Sequence, residues 1–64
     1  MTAGQKLRAY RGERTQQEVA NAINISRSAL QMYENDMRRP RDELKRVLAE
    51  FYGTTVGSLF FDQE

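Results

Sequence analysis

Cysteine and histidine are both absent from the 64 residues. Without cysteine there are no disulfide staples, and without either residue the usual zinc sets and the commonest general base are gone. No apolar run opens the chain, so the expectation is neither a signal peptide nor a membrane span, and a cytoplasmic protein. No nucleophile stands beside a base: Ser26 and Ser28 are accounted for below, and the acids scatter over helix surfaces, so an enzyme is not expected. No cofactor or metal is implied. Internal repeats and low-complexity segments are missing too. A chain this short buries about 60% of its unfolded surface, which leaves stability marginal and dependent on helix packing. It has room for one domain, residues 1–64, and none for a separate ligand-sensing domain.

Net charge is also scarce, at +1, but it is unevenly divided. Residues 1–46 hold all ten Lys and Arg against six acids, a sum of +4, whereas residues 47–64 hold only Glu50, Asp62 and Glu64, a sum of −3. A basic body with an acidic tail suits a protein with one face toward phosphates and its C-terminal end pointing elsewhere.

What is present centres on residues 16–35, QQEVANAINISRSALQMYEN. They read as two short helices joined by a tight turn. Thr15 caps the first, and Glu18, three residues on, completes a capping box. Val19, Ala20 and Ile23 form its buried side, with Ala20 small enough for a close helix crossing. Asn24 tolerates the left-handed backbone that turns a helix out of itself, and Ser26 caps the second helix at once. Residues placed 100° apart put Ala29, Leu30, Tyr33 and Glu34 on one side of that helix and Arg27, Ser28, Gln31, Met32 and Asn35 on the other. Arg, Gln and Asn make paired contacts to base edges and Ser donates or accepts there, so the outward side carries the chemistry of a reading helix. A merely solvated face needs only charge.

Around this unit, residues 3–11 are expected to form a helix with Ala3, Leu7 and Tyr10 on one stripe, ended by Gly12. Asp36 to Arg41 is polar and proline-bearing, hence a loop. A helix from Arg41 or Asp42 to Tyr52 follows, with Asp42 and Glu43 at its positive end and Leu44, Val47, Leu48 and Phe51 as its buried stripe. Gly53 closes it beside a half-buried Tyr52. Thr54 or Thr55 then caps a last short helix that folds Val56, Leu59 and Phe60 onto the core. Leu59, Phe60 and Phe61 cannot all face one small core from a single turn. One ring is left at the surface, either packed over a helix end or, with Phe60 and Phe61 together, forming a two-fold dimer contact. The expectation is an all-α, compact five-helix domain.

The stretch resembles the helix-turn-helix of the lambda repressor and Cro type, the Xre family. The matching residues are Thr15-Gln16, Ala20 at the fifth position, the turn at 24–26, SRSAL at 26–30 and Tyr33-Glu34-Asn35. RRPRDELK at 38–45, Tyr52-Gly53 and Leu59-Phe60 continue the match, so it covers nearly the whole chain. Where relatives commonly have glycine, this chain has Asp36, a negative charge near the expected phosphate path. The resemblance implies that the second helix of the motif enters the major groove. Arg27 and Ser28, then Gln31 and Met32, would read bases, with Arg27 suited to guanine and Met32 either touching a thymine methyl or filling a gap. Gln16 would grip a phosphate, helped by the free N–H groups at the helix start, and Thr15, Asn35, Arg38 and Arg39 are further phosphate candidates. For Arg38 and Arg39 the plainer alternative is solubility. The resemblance also implies that Arg11 pairs with Glu34; a solvated Arg11 is the alternative.

A single such domain reads only a few base pairs, at roughly 1 to 3 kcal/mol each, too little to find a site in a genome. A homodimer on an inverted repeat of double-stranded DNA is therefore expected, and the resemblance implies a small bacterial or phage repressor. The rival is a protein-interaction module on the same fold, antitoxin-like or anti-repressor, with a regulatory protein partner and an apolar surface around Met37, Phe60 and Phe61.

Overall fold

The computed structural model describes residues 1–61; Asp62 and Glu64, which carry most of the expected acidic tail, lie outside the described residues. Five helices follow one another: α1 (Ala3–Arg11), α2 (Gln16–Ala22), α3 (Arg27–Glu34), α4 (Asp42–Tyr52) and a short π-helical turn, α5 (Gly57–Phe61). Among the described residues there is no strand.

Local chemistry explains most boundaries. Thr2 and Gln5 form a capping box at α1, Thr15 and Glu18 form one at α2, and the Ser26 side chain accepts from the Ala29 N–H at the start of α3. Each satisfies N–H groups that the first helical turn leaves without partners, worth about 1 kcal/mol per cap. Asn24 at φ 64° and Gly53 at φ 69° turn the chain out of α2 and α4 through the left-handed region. The loop after α3 makes the same move at Asp36, φ 59°.

The core has two adjoining parts. Leu7, Leu48, Ala49 and Leu59 form one, while Val19, Ala20 and Leu30 form the other, where α2 crosses α3. Ile23 and Tyr52 pack against both, so the motif is bolted to α1, α4 and α5 through shared side chains. Burying each Leu or Val contributes about 1.5–3 kcal/mol, which is what holds helices too short to persist alone.

Two expected core positions lie at the surface. Tyr10 is 40% exposed, stacked on Tyr52 with ring centroids 5.7 Å apart and its hydroxyl donating to Thr54 Oγ1 at 3.2 Å. Val47 is 37% exposed, whereas Lys45, on the other side of α4, is buried. The Lys45 ammonium lies 5.6 Å from the Phe60 ring centroid and 4.8 Å from that of Phe61, and 3.7 Å from Asp42 Oδ1. A long aliphatic stem covers apolar surface while its head stays near aromatic faces, which is how a lysine comes to be buried on that side of the helix. The last element also departs from an ordinary α-helical turn, being a π-helical coil that tucks Leu59 in and leaves Phe61 outside.

Candidate nucleic-acid interface

The outward edge of α3 carries Arg27, Ser28, Gln31 and Met32, with Asn35 just past its last residue, and all five are exposed. Leu30 and Glu34 of the same helix are both buried. That Glu34 carboxylate sits beneath the outward edge and organises it. Arg11 Nε donates to Glu34 Oε2 at 2.8 Å and Arg11 Nη2 to Oε1 at 3.1 Å, a two-pronged pair with a fully buried acid. Gln16 Nε2, at the first residue of α2, donates to the same Oε1 at 2.9 Å. The Gln16 amide oxygen is thereby turned toward α3, where it accepts from Arg27 Nη1 at 3.4 Å. A chain of contacts thus runs from α1 through the buried acid to the start of both motif helices. Because a guanidinium and an amide N–H can only donate, each link has one chemically permitted direction.

Thr15 has its hydroxyl oxygen accepting from the Glu18 N–H at 3.0 Å, and its own proton is left to donate outward. Asn35 Oδ1 accepts from Arg8 Nη2 at 2.8 Å, and the same nitrogen reaches the Glu34 carbonyl at 3.4 Å. Arg38 and Arg39 are exposed on the loop beyond, at the rim of a hollow shared with Tyr33 and Lys45.

Asp36, the departure from glycine, lines the same hollow and reaches onto the start of α1. Its Oδ2 accepts from the Thr2 hydroxyl at 2.6 Å and its Oδ1 from the Gly4 N–H at 2.9 Å. The Thr2 hydroxyl, then the Gly4 amide, and then Arg8 and Arg39 hold its carboxyl below the usual range against a small desolvation penalty. The negative charge therefore complements the positive end of α1.

Phe60 is half-buried against the Leu7–Leu48 part of the core, whereas Phe61 is 53% exposed; of the two rings, Phe61 offers the larger exposed surface. Several contributors have no local signature in the sequence. Arg14 folds back to donate to the Arg11 and Tyr10 carbonyls at 3.1 and 2.9 Å, closing the end of α1 while its guanidinium lies over Phe51 and Tyr52. Arg8 and Asp36 act across more than 25 residues of sequence, which no local pattern reveals. Thr2 and Gln5 do carry a signal, the same Thr-x-x-Gln spacing that marks a capping box. Among the described residues no group of His, Cys, Asp and Glu is placed to hold a metal ion, and no helix is long and apolar enough to cross a membrane.

Two short helices joined by a left-handed corner, the first wedged by Ala20 against a second that presents an exposed polar edge, define the helix-turn-helix class. The family model described as Helix-turn-helix matches residues 5–59, and the chain belongs to that family in its lambda repressor and Cro (Xre) form. A similar protein is the cryptic phage CTXphi transcriptional repressor RstR of Vibrio cholerae. It is 38% identical over 61 residues that cover 92% of this chain and 55% of the repressor. The chain thus spans about half the length of that curated relative. Family and relative alike are transcription regulators.

Proposed function

We propose that this protein is a sequence-specific double-stranded DNA-binding repressor acting as a homodimer on an inverted repeat. The observation that carries the reading is the exposed edge of Arg27, Ser28, Gln31 and Met32 on a helix held in place by buried Leu30 and Glu34. Side chains that pair with base edges lie together on a rigid element, and bases are read from such elements in the major groove. Thr15 and Asn35 flank the edge with hydrogen-bond donors suited to phosphate oxygens, Gln16 stands beside them at the start of α2 with one amide N–H committed to Glu34 and the other for a phosphate, and Arg38 and Arg39 extend the cationic rim. The similar phage protein is a transcriptional repressor.

The homodimer follows from the short reach of one α3. The described residues measure 30 × 23 × 20 Å, which suits two copies side by side with their reading helices roughly 34 Å apart, one turn of duplex. The exposed Phe61 ring is the apolar group for the contact between them. A regulatory protein partner is the second reading, favoured by the apolar surface of Met37, which is 73% exposed.

Selection of bound duplexes from a random pool at about 0.15 M salt tests the proposal, since non-specific phosphate attraction is largely screened there. Enrichment of an inverted repeat supports it. Folded protein that enriches no duplex overturns it in favour of the interaction module, and enrichment of a single half-site overturns the dimer alone.

A further inference from the structure

We propose that Arg8, on α1 and outside the helix-turn-helix, is a positioning residue that sets which end of the Asn35 amide faces the nucleic acid. The inference rests on the DNA-binding reading and adds a residue to it. Arg8 Nη2 lies 2.8 Å from Asn35 Oδ1. A guanidinium has five N–H donors and no acceptor, so the atom it touches has to be the amide oxygen. The Asn35 NH2 group is therefore left pointing away from Arg8, on an exposed residue at the end of the reading edge. An amide has two faces of opposite sign. Phosphate oxygens accept only, so the NH2 end attracts them and the carbonyl end repels them.

The clamp itself is held in place. The same Arg8 nitrogen reaches the Glu34 carbonyl at 3.4 Å, and one residue beyond Asn35 the Asp36 carboxylate ties the loop to Thr2 and Gly4 at the start of the same helix. Helix α1 thus fixes three consecutive residues at the end of the reading edge, and Arg8 is the member that acts on an outward-facing group. Arg8 is itself exposed, and because its truncation also removes the donor to the Glu34 carbonyl, thermal unfolding of Arg8→Ala accompanies the binding test to establish that the variant is folded.

The test is a double-mutant cycle by fluorescence anisotropy on the duplex recovered by selection, with Arg8→Ala, Asn35→Ala and the pair. The expected result is a loss of about tenfold for each single variant and the same loss for the double, because the Arg8 effect passes through Asn35. Adding Arg8→Ala to the Asn35→Ala background is also expected to leave the salt slope unchanged. Multiplying losses, or a further drop in salt slope in the double variant, overturn the inference by showing that Arg8 meets a phosphate directly. A readout independent of DNA uses the Asn35 side-chain NH2 signals in the 15N–1H NMR spectrum of the free protein. They should shift and broaden in Arg8→Ala, and signals that stay put overturn the inference. Failure of the wild-type protein to bind any duplex would instead sink the DNA-binding reading, with the NMR result still deciding whether Arg8 orients the amide.

Discussion

Arg11 and Glu34 meet across 23 residues of sequence through two hydrogen bonds of 2.8 and 3.1 Å, and the Glu34 side chain is entirely buried. A buried pair stabilises little relative to apolar groups of the same shape, yet removing one member strands the other without water. Arg11→Met should therefore cost about 3 kcal/mol, far beyond the 0–1 kcal/mol of a surface pair. The double variant Arg11→Met with Glu34→Gln should regain most of it, since a neutral amide tolerates burial better than a lone carboxylate. Thermal and urea unfolding decide the matter. A loss under about 1 kcal/mol for Arg11→Met would mean that Gln16 alone satisfies the acid.

Gly4 offers a prediction in which two effects oppose each other. In an ordinary helix interior, Gly→Ala stabilises by about 1 kcal/mol. Here an added Cβ would fall 2.7 Å from the Glu34 carbonyl carbon and 2.9 Å from Asp36 Cγ, and it would run into the Glu34 carbonyl oxygen. Backbone cannot rotate aside as a side chain can, so α1 must move off the end of α3 at a cost of about 1–3 kcal/mol. Gly4→Ala is expected to lower the melting temperature and to weaken the Asp36 contacts with Thr2 and Gly4. Unchanged or raised stability would show that the two helices are not pressed together there.

Tyr52 supplies the pH dependence. Its hydroxyl is buried with no hydrogen-bond partner among the described residues, a cost of about 1–3 kcal/mol for a stranded polar group. Burial, and then the Glu34 charge, raise its pKa above 10.0 against the smaller opposing effects of Arg14 and Arg11. A folded-state pKa above the unfolded one means that the stability linked to this proton is fully present below pH 10 and is lost as pH rises through the folded value. Tyr52→Phe should thus be at least as stable as the wild type at neutral pH and should lose stability less steeply above about pH 10. Urea denaturation from neutral to strongly alkaline pH measures both. A destabilised Tyr52→Phe would reveal that the hydroxyl has a partner.

The features legible in the sequence share a short range. Thr15, Glu18, Asn24 and Ser26 act within a few residues of themselves, so the caps and corner of the motif follow from spacing alone. The two sides of α3 are also readable, because a 100° step sets Leu30 opposite Ser28 and Met32, and Tyr33 opposite Gln31, with no knowledge of partners; Arg27 and Glu34, seven residues apart, fall at the border between the sides, and only the fold separates them. What escapes such reading depends on distant chain. Lys45 is buried, and Val47 is not, because α5 folds back to set Phe60 and Phe61 against the lysine flank of α4. Asp36 has the look of a charge near the phosphate path, yet what it meets is the start of α1, 32 residues away. The engagement of Gln16 with Glu34 and Arg27 is of the same kind, since periodicity places three residues on facing elements without saying that they touch.

Under the proposed DNA-binding function, variants of Arg27 and Arg38 would separate base reading from phosphate attraction. Arg27 stands at the first residue of α3 with its guanidinium steered by the Gln16 oxygen, and a fork so placed matches the O6 and N7 acceptors of guanine. Arg27→Ala should erase preference at one base pair of each half-site, about 1–3 kcal/mol, while binding to unrelated duplex changes little beyond the effect of removing one charge. Arg38 lies exposed on the loop, where no periodic face points it at a base. Arg38→Ala should weaken every sequence alike and lower the log–log salt slope by about 0.9 for each phosphate no longer neutralised. Repeating the duplex selection with both variants, followed by salt titrations, distinguishes them. An Arg27→Ala protein with unaltered sequence preference would remove the base-reading role from the head of α3 and move it to Gln31.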